Sequence, residues 1–126
     1  MSQPQTVAIA LLSIMRNTKL FELGRIGATH AALNELERAE TLPAALLSRH
    51  AAGDFGAFGR YAAIALSARE EREGASATSD DAKLNAWGVR HAGRIISKYV
   101  LHTGAVVWII TESDRSATTI LLPEEY

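Results

Sequence analysis

Glu112-Ser-Asp-Arg115 places two carboxylates and a guanidinium within four residues, flanked by Thr111, Thr118 and Thr119. With His102 and Tyr99 nearby in sequence, the set matches the equipment of a metal-independent ribonuclease, which needs a base, a phosphate clamp and an acid. The plainer reading is that Asp114 and Arg115 fix a tight turn while Glu112 pairs locally, since Asp is a common turn former. Arg94, Lys98, Trp108, Asp114 and Arg115 form a second candidate set, for binding rather than catalysis. Ser97 and Tyr99, two residues apart, share a face of whatever strand carries them.

Other patterns carry less chemistry. Asp54-Phe-Gly56 imitates a kinase metal-binding triplet, but no glycine-rich nucleotide loop, strand lysine or catalytic loop accompanies it. Gly53, Gly56 and Gly59 lack the Lys-Ser/Thr of a phosphate loop and suit a tight path or close packing instead. His30, His50, His91 and His102 show no metal-ligand spacing, so no metal is expected. No cofactor motif is present, and the absence of cysteine excludes disulfides, thiolate zinc sites and cysteine nucleophiles.

These residues need a scaffold, and 126 residues give room for one domain. The chain carries 13 basic and 14 acidic side chains, for a net charge of −1. That balance disfavours nucleic acid, where phosphate neutralisation calls for a basic face. Val7–Met15 is apolar but far short of the roughly twenty residues a membrane helix needs. It also has neither a basic lead nor a cleavage site, so no membrane association and a cytoplasmic location are expected.

Periodicity predicts helices first. Pro4 and Thr6 open a short element through Met15. Thr29 caps a helix over Ala31–Glu40, and Pro43 sits in the first turn of the next, which stops at Gly53. Gly53–Gly59 reads as a loop, Tyr61–Arg72 as a helix and Gly74–Ser79 as a flexible linker. Leu84, Trp87 and His91 then stripe a last helix that ends at Gly93. From there the period becomes two. Ile95–Leu101, Val106–Thr111 and Thr118–Leu122 are β-branched or aromatic runs separated by turn residues. The expected fold is α+β: one domain over residues 1–126, with N-terminal helices (about 6–92) packed on a three-stranded antiparallel β-meander (94–126). Its middle strand, apolar on both faces, should be central and covered on both sides.

Gly93-Arg-Ile-Ile-Ser-Lys-Tyr99 followed by Trp108–Tyr126 resembles a family of small proteins carried by plasmids and integrative elements of proteobacteria. Its members are often labelled plasmid-related, or type I restriction endonuclease subunit M. The likeness extends more weakly to Leu23–Thr29 and Arg49–Asp54. Phe55 stands where such proteins tend to have Trp, and Ala57–Ser79 looks like an insertion. A methyltransferase subunit would need a glycine-rich cofactor loop and an Asn-Pro-Pro-aromatic motif, and neither is present. The resemblance implies the company of mobile DNA.

Three functions are therefore expected, in this order. The first is a non-enzymatic accessory protein of a mobile element that acts by protein contact, for example on a host defence complex. A homodimer through Val7–Met15 or an open sheet face is compatible with it. The second is the small ribonuclease using Glu112, Arg115, His102 and Tyr99. The third is a nucleic-acid-binding module using Arg90, Arg94, Arg115 and Lys98.

Overall fold

The computed structural model describes residues 19–61 and 80–126. The elements expected at 4–15, most of 61–72 and the linker at 74–79 lie outside them. A short strand comes first, β1 (Arg25–Ala28). Helices α1 (His30–Arg38), α2 (Pro43–Ala51) and α3 (Asp80–His91) follow. Strands β2 (Ile95–Val100), β3 (Val106–Thr111) and β4 (Ala117–Leu121) complete the chain with a 3-10 turn at Pro123–Glu125.

The helix boundaries follow local chemistry. Thr29 is extended and its hydroxyl accepts from the Ala32 N–H, which satisfies one of the donors a helix start leaves over. Pro43 opens α2, where its missing N–H costs nothing. Both helices end in a Schellman motif, whose left-handed position is filled by Glu40 (φ 51°) after α1 and, as expected, by Gly53 (φ 88°) after α2. Among the described residues, no helix is long and apolar enough to cross a membrane.

The architecture is α+β, but the sheet differs from the expected meander. Among the described residues it has four strands in the order β1-β4-β3-β2, and it is mixed. The β2–β3 and β3–β4 pairs are antiparallel, and β1 adds to β4 in parallel. Arg-Ile-Gly-Ala gives no period-two signal because all four residues are exposed. Backbone bonding recruits it instead, from Arg25 N–H to the Ser116 carbonyl and from Thr29 N–H to that of Ile120. Nor are the helices confined to one side in sequence, since β1 precedes them and the 3-10 turn follows the sheet.

One face of the sheet carries Ile95, Ser97, Tyr99, Val107, Ile109, Thr111, Thr118 and Ile120, all buried. Ala32, Leu36 and Ala39 at the α1 end and Leu46 of α2 close on Tyr99, Val107, Ile109 and Ile120 to form the main core. Burying each such aliphatic side chain contributes about 1.5–3 kcal/mol, which explains why α1 and α2 lie against this face. A second cluster joins Phe21 and Phe55 to Ala86 of α3 and Ile95.

An open β2 edge would expose unpaired backbone groups and invite aggregation. Two devices close it. The Asn85 amide imitates a strand residue, donating to the Ile96 carbonyl (2.6 Å) and accepting from its N–H (2.8 Å). Two residues on, Lys98 N–H donates to the Phe55 carbonyl, and Ala57 N–H donates to that of Lys98. The 53–59 loop is thus a surrogate strand. Arg49 steadies it through Asp54 at 2.7 Å, and Asp54 also accepts from Gly56 N–H. The Asp54-Phe-Gly56 triplet is a piece of edge closure.

Candidate functional site

The candidate catalytic residues do not share a cleft. His102 sits in the β2–β3 turn and bonds the Ala39 carbonyl at the end of α1. Glu112 and Arg115 lie beyond the other end of β3, a six-residue strand that spans about 20 Å. Tyr99 is buried, and its hydroxyl donates to the Asp54 carbonyl at 2.6 Å. Burial pushes the Tyr99 phenol well above its ordinary range, so it holds its proton.

Arg115 is committed elsewhere. Its guanidinium donates to the Gly93 carbonyl (2.7 Å) and the Gly88 carbonyl (2.8 Å), and it lies 5.4 Å from the Phe21 ring. It therefore bolts the C-terminus of α3 to the β3–β4 turn and satisfies carbonyls that the helix end leaves unpaired. Within the turn, Asp114 accepts from Ser116 N–H at 2.9 Å, as an Asx turn does. Glu112 faces Arg94 at 3.7 Å on the exposed surface. Arg115→Ala should lower stability by about 2–3 kcal/mol, because charge-assisted bonds to buried carbonyls are lost. Urea unfolding would show it as a lower midpoint with an unchanged slope.

The polar group that sequence reasoning passed over is His50. Its imidazole is fully buried between the Phe21 ring (5.2 Å) and the Phe55 ring (6.3 Å). Its Nδ1 lies 2.6 Å from Ser97 Oγ and its Nε2 lies 2.8 Å from Thr111 Oγ1. Thr111 Oγ1 in turn lies 2.7 Å from Thr118 Oγ1, and the Thr118 hydroxyl donates to the Leu23 carbonyl. That last bond fixes the direction of the chain. Thr118 has spent its one proton, so Thr111 donates to Thr118 and must accept from His50. The imidazole is then the Nε2–H tautomer, and Ser97 donates to Nδ1.

Serine, histidine and a third hydroxyl in series resemble a nucleophile relay, but all four side chains have zero exposure. No substrate reaches them. They tie α2 to three strands and to the segment before β1. Burial first, and the Arg115 charge second, lower the His50 pKa to about 3, so the ring is neutral. The sequence signal was slight: His50 lies four residues after Leu46, on the inward stripe of α2.

The opposite face of the sheet is only partly covered and carries the candidate binding site. Phe58, Leu84, Trp87, Ile96, Trp108 and Tyr126 line an open groove of about 400 Å³ with Arg94 beside them. That volume lies in the range of ligand sites. Tyr126 folds back so that its ring meets Trp108 edge-on at 5.5 Å. The Arg94 guanidinium sits 5.6 Å from the Tyr126 ring and donates to its hydroxyl. On the far wall Trp87 stacks on His91 at 5.1 Å.

Leu84, Trp87 and Tyr126 are 64%, 53% and 62% exposed, a large apolar rim for a surface. The Trp108 indole N–H is buried with no acceptor among the described residues. Of the candidate binding residues, Arg94 and Trp108 line the groove, and Lys98 is the cross-strand partner of Trp108. Asp114 and Arg115 belong to the turn. Both tryptophans of the chain stand in this groove. Among the described residues, no cluster of three or more histidines and carboxylates could hold a metal.

Compared with protein-family models, with curated proteins and with solved structures, the chain gives no match. Its function has to be read from these residues.

Proposed function

We propose that the protein is a non-enzymatic binding module that engages a protein partner through the aromatic groove. The observation that supports this most is the exposed rim of Leu84, Trp87 and Tyr126 around a floor of Ile96 and Trp108. Large aromatic side chains and arginine are the residue types that dominate protein interfaces. The exposure of that rim also favours a partner over a metabolite, because small-ligand sites enclose most of their ligand's surface. The resemblance to proteins of plasmids and integrative elements suggests where the partner belongs. It would be a host component that a mobile element gains by touching, such as a defence complex.

Photo-cross-linking in the host tests this reading. A benzoylphenylalanine placed at position 84 should give one discrete adduct to another protein. Trp87→Glu, a change at a half-exposed position, should reduce that adduct at least tenfold while leaving thermal stability nearly unchanged. A diffuse smear, or an adduct indifferent to Trp87→Glu, would refute the groove as the contact surface.

A further inference from the structure

We infer that the groove selects an aromatic side chain carrying a single neighbouring carboxylate, with the ring against Trp108 and the carboxylate on Arg94. The inference rests on the binding function proposed above and names the chemistry of the partner's anchor.

Charge complementarity selects the carboxylate. The Arg94 side chain is about half exposed. Among the described residues its one acidic neighbour, Glu112, stays at 3.7 Å, beyond hydrogen-bond reach, while its contact to Tyr126 is to a neutral hydroxyl. Lys98, directly across from Trp108, adds a second positive charge beside the floor. A carboxylate arriving at Arg94 displaces little and gains a charge-assisted bond.

The ring requirement comes from the walls. Trp108 and Tyr126 already pack edge to face, and Trp87 offers a second aromatic surface across the gap. A ring entering between them continues an aromatic pairing that an aliphatic chain cannot match. A run of phosphates fits less well. The chain as a whole is net negative, Glu112 adjoins Arg94, and among the described residues the groove lining holds no second cation.

The test uses the full chain labelled with ¹⁵N, whose only two indole N–H signals come from Trp87 and Trp108. Acetyl-Phe-Asp-amide should shift both signals saturably. Acetyl-Ala-Asp-amide should bind at least tenfold more weakly, and acetyl-Phe-Lys-amide at least fivefold. Arg94→Gln should abolish the preference for Asp over Lys, and Arg94→Lys should restore part of it. Equal binding of the Asp and Lys peptides, or a preference that survives Arg94→Gln, overturns the inference. Tighter binding of a uridine trinucleotide overturns it in favour of a nucleic-acid site. Silence from every probe also overturns it. The cross-link at position 84 reads the partner independently, so it can persist when the anchor chemistry fails, and the converse holds too.

Discussion

His50→Ala should lower stability by about 4 kcal/mol or more, among the largest effects of any single change in this chain. Three terms add. A cavity opens between Phe21 and Phe55, Ser97 loses its acceptor, and Thr111 loses its donor. A buried polar group left without a partner costs about 1–3 kcal/mol, and a core truncation of this size costs a few more. The relevant comparison is His50→Leu combined with Ser97→Ala and Thr111→Val. Removing the polar partners together should be less damaging than the sum of the single changes, because only Thr118 then loses a partner, and it keeps its bond to the Leu23 carbonyl. Additive losses would mean that the chain of hydroxyls is not coupled through the imidazole.

The same residue sets the response to acid. The His50 pKa is lowered from 6.5 to about 3 in the folded protein, so unfolding below pH 6.5 takes up a proton. Its stability contribution is therefore complete above pH 6.5 and is lost progressively as the pH falls toward 3. At about 1.4 kcal/mol per pH unit, roughly 2 kcal/mol should disappear between pH 7 and pH 5. Asp54 is held below its usual range by its hydrogen bond to Arg49, against the opposing effect of burial. Its contribution fades only in more acidic solution, below the ordinary carboxylate range. His50 is therefore the shifted group, among the described residues, whose contribution changes across pH 5–7. Chemical denaturation across it should show a slope near one proton, and the His50→Leu combination should flatten it. Nitrogen-15 shifts should report the Nε2–H tautomer and no titration between pH 5 and 8.

Gly56→Ala should be comparably severe, for a steric reason. Gly56 has φ +65, and a Cβ there would stand 2.1 Å from the Lys98 carbonyl oxygen and 2.8 Å from the Tyr99 ring. The nearer obstacle is backbone inside a strand and cannot turn away. The loop must leave the β2 edge, which breaks both bonds to Lys98 and shifts Phe58 out of the groove wall. A loss of about 3 kcal/mol or more is expected, with increased aggregation from the uncovered edge. Two other glycines calibrate the measurement. Gly104 has φ +92 but open space around it, so Gly104→Ala should cost only about 1 kcal/mol of backbone strain. At Gly27 nothing lies within 4 Å and φ is ordinary, so alanine there should stay within about 0.5 kcal/mol of neutral. If all three behaved alike, the contact between loop and strand would not be what holds the edge closed.

Sequence by itself determined the parts whose signal is local. The three C-terminal strands, their turns and the Thr29-capped helix are legible because alternation, turn residues and caps act over a few neighbours. The clash-prone glycines of the 53–59 loop are visible for the same reason. Only tertiary structure decided the rest. Strand β1 exists because Ser116 and Ile120 offer carbonyls to it, and nothing in Arg-Ile-Gly-Ala announces that. Arg115 looked like a phosphate clamp in one dimension and became a bolt when the end of α3 brought the Gly88 and Gly93 carbonyls to it. His50 gained its role from Ser97 and Thr111, 47 and 61 residues away. The groove gathers Phe58 from a loop, Trp87 from α3, Trp108 from β3 and Tyr126 from just past the 3-10 turn. Side-chain chemistry is written residue by residue, but a site is a meeting of distant residues, and long-range packing alone arranges the meeting.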